Sequence, residues 1–102
     1  MQKYDAGFTP EGAWQGPLIA EIPDARVKLR WTDQPFRWHV NTGEEVFVVL
    51  RGAVDMHVRS NVAPDVAVIP LETGDVLHIR PGEEHVAHPR GEARILVIEG
   101  PG

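Results

Sequence analysis

The stretch FRWHVNTGEEVFVVLRG, from Phe36 to Gly52, sets an imidazole and an amide two residues apart, followed by a turn, paired carboxylates and an apolar run stopped by glycine. If a strand runs through His39 and Asn41, both side chains face the same way, because side chains alternate along an extended chain. The turn Asn41-Thr42-Gly43 reverses the chain. A hairpin closed there puts Glu45 opposite His39, with Cβ atoms about 5 Å apart. Nitrogen and carboxylate donors converging in this way suit a divalent transition metal. Glu45 shares parity with Phe47 and Val49, which aims it inward. An inward carboxylate needs a partner, since an unpaired buried charge is costly or shifts its pKa.

The run that follows is apolar on both parities: Val46, Val48 and Leu50 on one, Phe47 and Val49 on the other. A strand of this kind is covered on both faces. In a one-barrel protein the second cover is either another subunit or the N-terminal arm folded over it. The expectation carried forward is a homodimer.

The rest of the chain has the same short rhythm. Ten glycines and nine prolines interrupt it, too often for long helices. Between them lie ARVKLRW, AVDMHVR, VAVIPL, DVLHI and ARILVIE. In AVDMHVR, Val54, Met56 and Val58 alternate with Asp55, His57 and Arg59, the period of a half-buried strand. The connectors NTG, NVAPD, ETGD, RPGEE and HPRGE are turn sequences of hairpin length. These signals predict an all-β protein of about eight short strands, closed into a barrel or sandwich. A chain of 102 residues has little room for a second core. The expected organisation is therefore one domain, with an irregular arm over 1–22 that pairs late through LIAEI, and a barrel over 26–99.

Composition narrows the functional classes. The net charge is −5, with ten lysines and arginines scattered along the chain, so no basic footprint exists for nucleic acid or an anionic membrane. No apolar run approaches the roughly 20 residues that span a bilayer. The N-terminal MQKYDAGFTPEGAWQGP lacks the apolar core of a signal sequence, and the expected location is cytoplasmic. With no cysteine in the chain, disulfides, thiolate metal sites and a cysteine nucleophile are excluded. The single serine, Ser60, sits in no nucleophile elbow, and no glycine-rich phosphate cradle precedes a helix.

A second segment, Gly74-to-His85 GDVLHIRPGEEH, completes a pattern with the first. Together they resemble the two motifs of the cupin superfamily. The first motif runs H-x-H, three or four residues, E, six residues, G; here it reads His39-Val40-Asn41, three residues, Glu45, six residues, Gly52. The second runs G, five residues, P-x-G, two residues, H; here it reads Gly74, five residues, Arg80-Pro81-Gly82, Glu83-Glu84, His85. The two motifs cover about Trp38 to Pro89, half the chain. The resemblance implies a small single-domain cupin, a double-stranded β-helix of the jelly-roll kind. It also implies His39, Glu45 and His85 as metal ligands. The departures are specific: Asn41 stands where the family's second histidine usually stands, Arg80 replaces a proline, Pro89 occupies the place of a closing asparagine, and the first motif lacks its leading glycine.

Two histidines and one carboxylate with open positions match the facial arrangement of non-haem Fe(II) oxygenases, and Mn, Ni, Zn or Cu accept the same set. Asn41 is a weaker oxygen donor or a group that hydrogen-bonds a metal-bound water, so partial metal occupancy is expected. Trp38, Phe47, His78 and Arg80 are candidates for the substrate pocket, with Arg37 or Arg80 steering an anion at its mouth. His57 reads as solvated, and His88, three residues beyond His85, faces away from it. No residue is assigned a catalytic role. The activity implied by resemblance is that of a metal-dependent oxygenase or isomerase of a small molecule. The alternatives are a non-catalytic module binding a sugar or organic acid with a weak or absent ion, and a metal-free hydrogen-bonded network.

Overall fold

The computed structural model describes residues 1–59 and 65–101; Ser60 and positions 61–64 of the NVAPD connector lie outside the described residues. Eight strands follow one another: β1 (Leu18–Ile22), β2 (Ala25–Thr32), β3 (Glu45–Arg51), β4 (Val54–Arg59), β5 (Ala67–Leu71), β6 (Val76–Ile79), β7 (Glu84–Pro89) and β8 (Ala93–Glu99). They form a five-stranded sheet in the order β1-β2-β8-β3-β6 and a three-stranded sheet in the order β5-β4-β7, with every pairing antiparallel. This is the expected all-β double-stranded β-helix. Among the described residues no helix is long and apolar enough to cross a membrane.

The inner faces of the two sheets share one core. Phe47, Val49, Ile95 and Val97 from the larger sheet meet Val54, Met56, Leu71 and Ala87 from the smaller. Val49, Val54, Met56 and Ile95 are fully buried, each side chain contributing about 1.5–3 kcal/mol by leaving water. The motif glycines make the corners. Arg80-Pro81-Gly82-Glu83 is a tight turn closed by the Glu83 amide on the Arg80 carbonyl at 3.2 Å, with Gly82 at φ +85°, a conformation open to glycine in the third position after proline. Gly52, also at φ +85°, lies so close to the Glu92 carbonyl that any Cβ would collide with it.

Two strands were not among the apolar runs. β7 hides in a segment that reads as two turns, and LIAEI, Leu18–Ile22, through which the arm was expected to pair, is β1, paired to β2. The arm is fastened further back as well. Arg94, buried in β8, donates from its guanidinium to the carbonyls of Ala6 and Phe8 and to Thr9 Oγ1.

The two-faced run of β3 divides as its parity predicts. Glu45, Phe47 and Val49 are buried inward, while Val46 and Val48 are half-buried and Leu50 is exposed on the outer face. That outer face continues through Leu96 and Ile98 of β8 and Val76 of β6 by cross-strand register. The arm covers a different part of it: Leu29 and Trp31 of β2 are buried, beside the Arg94 clamp. Among the described residues the arm does not clamp the β3 portion in this way.

Candidate metal centre

His39, Glu45 and His85 each offer a ligand atom within 4.8 Å of the other two, the only such group of three histidines or acids among the described residues. The route by which they meet differs from the expected hairpin. Asn41-Thr42-Gly43 turns the chain, but Glu45 pairs with Ile79 and Glu99, not with His39. His39 instead bridges to His85 on β7: its amide reaches the His85 carbonyl at 3.0 Å, and the reverse bond is 2.9 Å. The reason is that residues before the turn lie along the mouth of β7 (Gly82 N–H to Asn41 C=O, 3.1 Å) and leave both edges of β3 to β6 and β8.

Backbone carbonyls fix both rings. Nδ1 of His39 lies 2.9 Å from the Arg37 carbonyl, and Nδ1 of His85 lies 2.9 Å from the Glu83 carbonyl. Only a protonated Nδ1 can donate to a carbonyl, so each ring is held with Nε2 as its lone-pair nitrogen, the outer hydrogen bond typical of a metal-ligating imidazole. His85 Nε2 is buried with no hydrogen-bond partner. It lies 3.7 Å from Glu45 Oε1, beyond hydrogen-bond length. Burial works to lower the His85 pKa, but the nearby Glu45 carboxylate and the Glu83 carbonyl outweigh it, and the net shift is upward. Asn41 points its amide Nδ2 at Glu45 Oε1. Its amide thus donates to the carboxylate of Glu45, a contact different from either role expected for it, oxygen donor or partner of a metal-bound water.

These donors face a cavity of about 250 Å3 between the sheets. Of the residues named for a substrate pocket, Phe47 lines it. Trp38, His78 and Arg80 do not. His78 pairs with Val46 on the outer face and reaches Glu44 at 2.8 Å, because β6 turns its odd-numbered side chains inward. Trp38 lies under the guanidinium of Arg59 at 4.0 Å, and Arg80 is exposed in its turn. Arg37 sits 5.5 Å from the ring of Phe36, which is itself a wall of the cavity.

Sequence reasoning missed four residues that the cavity does contain. Lys28 and Arg30 enter from β2, Glu99 from β8, and Trp14 from the arm. Trp14 packs edge-on against Phe36 at 5.4 Å, and Phe36 against His39 at 5.1 Å. The available signal was two cations at alternating positions of one strand in an acidic chain.

The comparisons agree with this architecture. Residues 29–99 match the family model of the cupin domain, and the chain belongs to that family. Among curated proteins, none matches it. A cupin-2 domain containing protein from Shewanella frigidimarina is 29% identical, with 89% of this chain and 84% of that one covered and a TM-score of 0.76. An uncharacterized conserved protein with a double-stranded β-helix domain from Klebsiella pneumoniae is 19% identical over 100% of this chain and 91% of its own, at a TM-score of 0.76. Hydroquinone 1,2-dioxygenase from Sphingomonas sp. TTNP3, solved with 4-hydroxybenzoate bound, superposes with a TM-score of 0.80 at 16% identity, over 91% of this chain and 29% of its own. Another hydroquinone 1,2-dioxygenase, in complex with Fe3+, gives 0.81 at 15%. This chain thus spans less than a third of the dioxygenases it resembles.

Proposed function

We propose that this protein holds one divalent transition-metal ion on His39, Glu45 and His85 and uses it to act on a small molecule in the cavity, with an oxygenase as the leading reaction class. The observation that carries the reading is the orphaned, buried Nε2 of His85, facing Glu45 and His39 in a group that spans 4.8 Å. Leaving a buried nitrogen without a partner is costly, and an ion supplies that partner. With Nδ1–H on the Glu83 carbonyl, Nε2 and the Glu45 carboxylate are both acceptors 3.7 Å apart, which an ion between them would satisfy together.

A bound ion would supply a Lewis acid with positions left open for a small molecule. The chain's own residues prepare the place. The Arg37 and Glu83 carbonyls hold the two rings in the ligating tautomer, Asn41 holds the carboxylate, and Trp14, Phe36 and Phe47 keep the surrounding walls apolar. Support for an oxygenase comes from the two-histidine, one-carboxylate donor set and from the Fe3+-bound dioxygenase among the structural neighbours. The test is direct: protein prepared without a nickel column should take up one equivalent of Fe(II) or Mn(II) by calorimetry, and Fe(II)-loaded protein should consume O2 with a member of a catechol and diketone panel. Uptake without oxygen consumption would leave the non-catalytic binding module, which the asparagine at position 41 favours.

The outer apolar face of β3, with Leu50 and Val76 exposed at 38% and 63%, supports a homodimer as the assembly. Sedimentation velocity returning a monomer would retire that part.

A further inference from the structure

The metal donors occupy one part of the cavity, and its opposite wall is charged in a way the donors do not explain. β2 turns Lys28 and Arg30 inward, across Val97 and Ile95 of β8, which in turn pair with Phe47 and Val49 of β3. Two strand spacings therefore separate the cations from the strand that carries Glu45, about 10 Å between backbones. Lys28 is partly answered by Glu99 at 3.3 Å. Arg30 is not answered by any acid among the described residues: Nη1 donates to the carbonyls of Gly16 at 2.8 Å and Leu29 at 3.2 Å, which leaves Nε and Nη2 as donors.

The charge balance points the same way. Lys28 and Arg30 cancel Glu45 and Glu99 among the lining residues, and a divalent ion on the donors would leave the cavity two charges positive. Between the two ends the walls are apolar and in part aromatic, made by Trp14, Phe36, Phe47, Met56 and Val97.

We propose that Lys28 and Arg30 form an anion-reading wall that selects, as the ligand of this cavity, a small carboxylate with a flat apolar body. The proposal rests on the reading of the cavity as a ligand site, but Arg30 carries its charge whether or not the ion is present. The carboxylate pairs with the open edge of the Arg30 guanidinium, a charge-assisted geometry that a neutral group cannot reproduce. The body lies against the aromatic walls, and the far end of the ligand is presented to His39, Glu45 and His85. Arg30 is a specificity residue here; it is not placed in contact with a reacting atom.

Benzoate and benzamide differ in charge and hardly in shape, and the indole N–H of Trp14, held on the Gln34 carbonyl at 2.9 Å, is an NMR reporter in the wall. In titrations of chelator-treated protein followed at that signal, benzoate should saturate and bind about tenfold tighter than benzamide, the discrimination of one good ionic hydrogen bond. Arg30→Gln should abolish the preference, Arg30→Lys should keep part of it, and His85→Ala should keep it all. Because Arg30 also supports the arm, Lys28→Met serves as the variant that leaves the backbone bonds of Arg30 intact, and it should reduce the preference severalfold. Equal binding of the two probes, no saturation by benzoate, or an undiminished preference in Arg30→Gln overturns the proposal. Loss of Mn(II) uptake with the benzoate preference intact would instead count against the metal reading alone.

Discussion

Two pairs of histidines stack at nearly the same distance in this molecule. The rings of His39 and His85 are 4.2 Å apart inside the barrel, and those of His57 and His88 are 4.1 Å apart on the outer face of the smaller sheet. Proximity alone does not separate them; their surroundings do. The inner pair has a buried carboxylate beside it, carbonyls on both Nδ1 atoms and an unpartnered nitrogen. The outer pair is half-exposed. Its acidic neighbour, Asp55, which pairs with His88 across the strands, already faces Arg90 at 3.3 Å. A group able to hold a metal needs the third donor, the tethers and the burial, and of these two pairs only the inner one has them.

The comparison breaks most sharply at the third donor. Glu45→Gln should lower metal affinity by more than the roughly 10–100-fold that removal of an outer hydrogen bond costs, with the fold retained, as read by calorimetry beside circular dichroism. Asn41→Ala comes next. It frees the Glu45 carboxylate without removing a ligand and should cost about 10–100-fold; a loss as large as that of Glu45→Gln would make Asn41 a ligand itself.

Acidity gives a smaller effect, with opposite signs in the two states. The raised pKa of His85 means that the folded metal-free protein holds this proton more tightly than the unfolded chain does. That stabilisation is fully present below the unfolded value of 6.5 and is lost as pH rises through the folded value. The stability gap between wild type and His85→Gln in urea should therefore shrink as pH is raised from mildly acidic to mildly basic. Metal uptake should move the other way, strengthening with pH because the proton must leave the ligand. The smallest effect belongs to the outer pair: His57→Ala with His88→Ala should leave metal affinity unchanged within about twofold, since neither ring belongs to the group of three donors.

The architecture was legible because its signals are local. Gly52 and Gly82 sit where the backbone admits little else, and AVDMHVR alternates as β4 does, with Val54 and Met56 buried. Strand β7 was hidden because Glu84-His85-Val86-Ala87-His88-Pro89 becomes an alternating strand only beside β4, whose register turns His85 and Ala87 toward Val58 and Met56. The approach of His39 to His85 spans 46 positions, so a reading from neighbours chose Glu45 as the hairpin partner instead. Lys28 and Arg30 were hidden by the usual rule that apolar residues face inward. In β2 that rule is inverted: Leu29 and Trp31 are buried outside the barrel beneath the arm, while the cations face the cavity. His78 was misjudged for the related reason that parity on β6 is set by its pairing with β3.

Crystals soaked in Mn(II) and measured at a wavelength where manganese scatters anomalously would test the centre directly. The expected map holds one strong peak per chain, about 2.0–2.3 Å from Nε2 of His39, Nε2 of His85 and a Glu45 oxygen, the reach of a first-row ion. A peak between His57 and His88, or none beside Glu45 in saturating metal, would contradict the account.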